Sequence, residues 1–127
     1  TGKMAKRRVK EIAESIAAAH NCTAEVALVD GYPVTRNDKH AVTHFFETAN
    51  SVLPEEQVGE FPAPVMGGED FSYYCKEVPS CFFMVGLLPE GKEQMPSLHQ
   101  PDFDFNDNVI PTCVKMFCEL ALRYKGF

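Results

Sequence analysis

Pro79-Ser80-Cys81-Phe82-Phe83-Met84-Val85-Gly86-Leu87-Leu88-Pro89 is the stretch on which the fold turns. Its middle, Cys81 to Leu87, is an almost unbroken apolar run with Pro79-Ser80 before it and Leu88-Pro89 after it. A run of this length bounded by proline matches a strand covered on both faces, and such strands belong to the parallel sheets of α/β proteins. The expected fold class is therefore α/β.

The flanking segments fit that expectation. Between Lys3 and Ala19 the apolar positions Met4, Val9, Ile12, Ile16 and Ala19 recur at three, four or five with Lys6, Lys10 and Glu14 between them, which predicts an amphipathic helix. His20-Asn21 can close it, because asparagine tolerates the left-handed conformation that follows a helix end. Cys22 to Val29 alternates in the manner of a strand, and Asp30-Gly31-Tyr32-Pro33 has the chemistry of a turn. A domain boundary is expected there. Asn37 or Asp38 can cap a second helix whose apolar face is Ala41, Val42, Phe45, Ala49, Val52 and Leu53, ending before Pro54.

Beyond Pro54 a loop with a short strand near Val58 to Phe61 is expected. A further short strand at Val65 then leads into a short helix carrying Phe71, Tyr74, Cys75 and Val78. After the apolar run, a polar loop reaches Asp104. A long helix from about Asp107 to Tyr124 follows, with Ile110, Cys113, Phe117, Leu120, Ala121 and Tyr124 on its buried side.

The chain has 127 residues, 45% hydrophobic and 24% charged, an ordinary globular balance and roughly one domain's length. No apolar stretch approaches the ~20 residues of a membrane span, so no membrane association is expected. A net charge of −6 with only short basic clusters lacks the field that neutralises several phosphates, which argues against nucleic acid as a partner. The five cysteines, an odd number without a C-x-x-C pair, point to reduced thiols and a cytoplasmic setting. Cys113 and Cys118 lie about 140° apart around a helix at 3.6 residues per turn and do not face each other. The chain begins at Thr1 rather than methionine, so a truncated sequence is expected.

Three places can carry chemistry. In open α/β sheets ligands bind beyond the carboxyl ends of strands, and the loop after Leu87 holds His99 in Leu98-His99-Gln100-Pro101, with Asp102 and Asp104 beside it. An imidazole there can ligate a metal with carboxylates behind it, or be a surface histidine bonded to water. Gly67-Gly68-Glu69-Asp70 places two residues without side chains before two carboxylates at a helix start, where exposed amides favour a carboxylate or oxyanion and Asp70 can cap. The same residues also make a plain turn and cap. Asn37, within Tyr32-Pro33-Val34-Thr35-Arg36-Asn37-Asp38 at the expected boundary, offers donor and acceptor to a ligand's amide or carboxylate, or serves a linker. His40 and His44 share a helix face but Ala41 stands where a zincin needs glutamate. Serine-hydrolase elbows, phosphate loops and dinucleotide fingerprints are missing from the sequence.

Taken in order, three segments resemble one family. They are Tyr32 to Asp38; Met66-Gly67-Gly68-Glu69-Asp70-Phe71-Ser72-Tyr73-Tyr74 with Val78-Pro79, Phe83 and Gly86; and Leu98-His99-Gln100-Pro101-Asp102-Phe103-Asp104-Phe105-Asn106-Asp107. They resemble the C-terminal half of the zinc-dependent amidohydrolases that include hippurate hydrolase, indoleacetyl-amino-acid hydrolase and N-acyl-amino-acid amidohydrolase. The likeness covers essentially the whole chain.

The resemblance implies a two-domain enzyme acting on N-acyl amino acids or related conjugates. Residues 1 to 33 correspond to the last helix and strand of an α+β lid that also mediates homodimerisation. Residues 34 to 127 correspond to the C-terminal part of an α/β/α metal-binding catalytic domain. It implies two divalent metal ions, zinc or manganese, activating a water while a glutamate moves the proton. His99 matches the final metal ligand, Asn37 a polar hinge residue that holds the substrate's carboxylate, and Gly68-Glu69 the loop beside the metal centre. The remaining ligands and the glutamate match nothing in this chain, so it is expected to be a fragment that binds no metal and is inactive alone. A second reading stands beside this one: a non-enzymatic α/β binding or assembly module, which needs no catalytic base.

Overall fold

The computed structural model describes residues 2–62 and 64–126. The chain divides into two compact units, Thr1–Gly31 and Tyr32–Phe127.

The first unit is one helix and one returning segment. Helix α1, Gly2–Ala19, is rich in alanine, lysine and glutamate, all strong helix formers. Its close is a Schellman motif: Cys22 N–H donates to Ala17 O at 2.8 Å and Asn21 N–H to Ala18 O at 3.1 Å. Asn21 takes the left-handed φ of 54° that this closure requires. The chain then runs back extended, and an ion pair between Lys6 and Asp30 ties its far end to the early turns of α1. No residue of α1 is buried, so Met4, Val9, Ile12 and Ile16 keep much of their apolar surface exposed.

The second unit is built around α2, Lys39–Val52, and α4, Ile110–Arg123. Asp38 caps α2 through Oδ1, which accepts the His40 and Ala41 amides at 2.8 and 3.2 Å. The two helices pack together, and their buried residues are Ala49, 0% exposed, and Met116, 4% exposed, with Ala41 and Thr48 also buried. Hydrogen bonds also cross this contact. His44 Nε2 donates to Leu120 O at 2.9 Å, which fixes a proton on that nitrogen, and Lys115 Nζ donates to Val52 O at 2.7 Å. The second places a cation on an unpaired carbonyl at the negative end of α2. A 3₁₀ turn, Asp70–Tyr73, runs into the single-turn helix α3, Tyr74–Glu77, and another 3₁₀ turn, Asp107–Val109, precedes α4.

The sequence expectation of an α/β fold, an α/β/α catalytic portion preceded by a lid strand, is corrected here. Among the described residues every regular element is helical and there is no strand or sheet. Cys22 to Val29, Val58 to Phe61, Val65 and Cys81 to Leu87 are extended or irregular rather than paired. The reason is that a strand is defined by a second backbone that takes its N–H and C=O groups, and an apolar run cannot supply its own partner. Around Cys81 to Leu87, side chains and one neighbouring amide take that role. Asp38 N–H donates to Ser80 O at 2.8 Å, the Asn37 carboxamide holds Phe82, and Asn106 Nδ2 donates to Leu87 O at 3.1 Å.

Nor is the run covered on both faces, since Phe82 is 36% exposed and Met84 55%. Its inner side joins an aromatic cluster. Phe83 stacks on Phe45 at 4.7 Å between centroids and approaches Phe117 at 5.6 Å, while Phe82 packs on Phe71 at 5.4 Å. Such ring pairs contribute about 0.5–1.5 kcal/mol beyond the area they bury. The expected buried side of α4 is also corrected. Met116 is its buried residue, whereas Phe117 is 63% exposed and Ile110 and Tyr124 are exposed as well.

Candidate functional site

The loop from Leu88 to Phe105 is closed at its base. Asn106 donates through Nδ2 to Leu87 O, while its Oδ1 accepts Asn108 N–H at 3.2 Å, so one side chain both joins the loop's ends and caps the turn into α4. His99 stands within this loop, exposed, with a left-handed φ of 69°. For a residue with a Cβ that conformation costs about 1–2 kcal/mol, although histidine is among the types that adopt it more often. Two consecutive turns surround it: Gln100 N–H donates to Ser97 O and Phe103 N–H to Gln100 O, both at 3.1 Å. The Gln100 carboxamide oxygen accepts the Ser97 N–H in return. Sequence reasoning passed over Gln100, since a lone glutamine belongs to no motif; the signal was its place between His99 and Pro101.

Asn37 is fully engaged at one edge. Nδ2 donates to Phe82 O at 2.9 Å and Oδ1 accepts Phe82 N–H at 2.8 Å, leaving one amide hydrogen and one lone pair. Glu69, not Asp70, supplies the cap of the 3₁₀ turn, with Oε1 accepting Phe71 N–H at 3.0 Å. Gly68 lies under a ring: a Cβ there would stand 3.0 Å from Tyr32 Cδ2. Tyr32 in turn meets Tyr73 edge-on at 6.1 Å. The structure thus joins Gly68 to Tyr32 and Asn37 to Phe82. No hydrogen bond, ion pair or ring contact among the described residues links His99 to Asn37, Gly68 or Glu69.

An open groove of about 830 Å³ lies between α2, α4 and the apolar run, lined by His44, Phe45, Cys81, Phe83 and Phe117 among others. Burial pushes the Cys81 thiol up from its ordinary value, and the neighbouring Cys75 adds to the effect. All five cysteines are free. Among the described residues no group of three His, Cys, Asp or Glu side chains is placed to hold a metal ion, and no helix is long and apolar enough to cross a membrane.

Comparison with known proteins points in one direction. The family model described as Peptidase family M20/M25/M40 matches residues 3–123. A putative amidohydrolase of Bacillus subtilis, YhaA, is 33% identical over 121 residues, 94% of this chain and 30% of its own length. The IAA-amino acid hydrolase ILR1-like 2 of Arabidopsis thaliana is 33% identical over 123 residues, 94% of this chain and 28% of its own. An uncharacterized hydrolase of Sinorhizobium fredii, y4tI, is 34% identical over 119 residues, 93% of this chain and 28% of its own. The chain therefore spans less than a third of the length of these relatives. No solved structure matches.

Proposed function

The chain belongs to peptidase family M20/M25/M40, and on that premise we propose that it is part of a longer metal-dependent enzyme that hydrolyses the amide bond of N-acyl amino acids or related conjugates. The observation that carries this reading is the match along nearly the whole chain to relatives named amidohydrolase and IAA-amino acid hydrolase. In this reading residues 1–33 end a lid that also forms a homodimer, and residues 34–127 close the metal-binding domain. The division of the chain after Gly31 supports a boundary near that point. Five free thiols support a cytoplasmic setting.

Two divalent ions, zinc or manganese, are proposed for the intact enzyme. What such ions supply is Lewis acidity toward a carbonyl and a water that ionises near neutral pH. The donor set of this chain fits one ligand only: His99 is exposed, and the described residues offer no cluster of three. Stable sites need three or four protein ligands, so this chain alone is proposed to bind no metal and to be inactive. No residue of it is assigned a part in proton transfer. The free hydrogen of the Asn37 amide is available to a substrate carboxylate, and Gly68 and Glu69 flank the same centre in this proposal.

The test uses the intact polypeptide that carries this segment, assayed on N-acetyl, N-benzoyl and indoleacetyl amino acids, with metal content measured before and after chelation. Turnover that chelation abolishes and zinc or manganese restores is expected, and the 127-residue chain alone should show none. Turnover unaffected by metal removal, or hydrolysis by the 127-residue chain with stoichiometric metal, would falsify the proposal.

A further inference from the structure

Helix α4 carries two apolar stripes, and only one of them is buried. Cys113, Met116 and Leu120 form the first and are buried or half-buried. Ile110, Val114, Phe117 and Ala121 form the second, following one another at spacings of four, three and four, and all four are exposed. At 3.6 residues per turn they lie in a stripe about 60° wide. The charged residues Lys115, Glu119 and Arg123 fall on the opposite side of the helix, where Arg123 Nε donates to Glu119 at 2.7 Å. The helix thus already has a face suited to water, and the second stripe is not it. Phe117 and Ala121 also line the open groove, across from Phe45, Cys81 and Phe83, so stripe and groove make one continuous apolar surface. How much surface lies open shows how large its occupant is. Two compact bodies of the sizes of the two units would together expose roughly 8,000 Å², whereas the chain exposes 10768 Å², an excess of roughly 3,000 Å². A standard interface hides only about 800 Å² on each partner, so the contact of a second copy is too small to account for the excess. The chain amounts to 30% and 28% of the length of two of its relatives, which leaves a body of sufficient size in the same polypeptide.

We infer that the Ile110, Val114, Phe117 and Ala121 stripe of α4, with the groove it borders, is an interaction surface whose occupant is the remainder of the longer polypeptide. The inference rests on the reading of this chain as part of a longer enzyme and needs nothing of its metal chemistry. In the 127-residue chain the surface meets water, and in the intact polypeptide it is covered from within the same molecule. Burial of a continuous apolar surface of this kind holds the segment to the rest of its domain without a covalent or ionic link.

The experiment uses the intact polypeptide that carries this segment. Photoreactive benzoylphenylalanine is placed at Phe117, the protein is irradiated, and the linked peptides are identified by mass spectrometry. Separately, Val114→Cys is labelled with a maleimide over a wide range of protein concentration, and labelling at that site is compared with the same protein unfolded in urea. Cross-links within one molecule to peptides outside residues 1–127 are expected. Val114→Cys should label about tenfold more slowly folded than unfolded, at every concentration. Labelling as fast as in urea, or cross-links confined to residues 1–127, would overturn the inference by leaving the surface open. Cross-links between two copies, or protection that is lost on dilution, would overturn it in favour of a second copy. Should either variant fail to fold, hydroxyl-radical oxidation of Phe117 in the parent decides: protection relative to urea supports the inference, and equal oxidation overturns it. A parent that hydrolyses N-acyl amino acids while Val114→Cys labels freely removes this inference alone. A natural polypeptide no longer than these 127 residues removes the reading beneath it, and the inference with it.

Discussion

Asn37 and Phe82 are joined through both ends of one carboxamide, Nδ2 donating to the Phe82 carbonyl at 2.9 Å and Oδ1 accepting the Phe82 N–H at 2.8 Å. A side chain thereby does what a neighbouring strand would do for this residue. Replacing Asn37 with alanine leaves both Phe82 groups to solvent, at a net cost near 1 kcal/mol per bond or somewhat less. Amide exchange at Phe82 should accelerate by roughly fivefold to tenfold in Asn37→Ala. Unchanged exchange at Phe82 would show that the carboxamide is incidental.

The cap of α2 lies one residue on. Asp38 Oδ1 accepts two amides of the first turn. Asp38→Ala should cost about 1 kcal/mol of stability, within a range of ~0.5–2, whereas Asp38→Asn should be nearly silent because asparagine caps equally well. Urea denaturation of the two variants checks this, and equal losses would mean that charge rather than capping matters.

On α4 the contrast between neighbours is sharp. Met116 is buried while Phe117 lines the open groove. Met116→Ala should destabilise by about 2–3 kcal/mol through lost contacts and a cavity. Phe117→Ala should cost less despite removing a larger ring, because most of that ring is already in solvent. Denaturation midpoints decide it; a larger loss at Phe117 would reverse the assignment of the buried face.

Cys81 gives a pH dependence. Burial first, and the nearby Cys75 second, disfavour its thiolate, so its folded value lies above its unfolded one. The folded chain therefore keeps the proton longer, and the stabilisation is fully present below the unfolded thiol's value of about 8.5. It is lost as pH rises through the folded value, and Cys81→Ala should flatten that alkaline decline. In alkylation with iodoacetamide near pH 8.5, followed by mass spectrometry, Cys81 should label more slowly than the exposed Cys22 and Cys118, with the gap narrowing at higher pH. Equal rates at all pH values would remove the basis for the prediction.

The helices were legible because their signals are local. The recurrence of Met4, Val9, Ile12 and Ile16, the Asn21 close, the Asp38 cap and the Pro54 stop each act within a few residues, and each lies at or beside the boundary observed. The strands were not legible, because pairing is a property of two segments, and Cys81 to Leu87 carries no mark of whether a partner is present. The buried face of α4 was misread because Ile110, Cys113, Val114, Met116, Phe117 and Leu120 together span more of the helix than one neighbour covers. Periodicity cannot choose among them. At the candidate site, the loop bearing His99 could be picked out, but its left-handed backbone could not: no glycine announces it, and the bonds that impose it run through Gln100.

The junction of Leu87 with Asn106 carries one more consequence. Because the two ends of the loop that bears His99 are fastened to each other, the cost of lengthening it grows only with the logarithm of its size. Residues can be added or exchanged near Gly91 or Glu93, away from the fastening, with little penalty to the helices below. The loop is thus free to diversify while its foundation stays as it is.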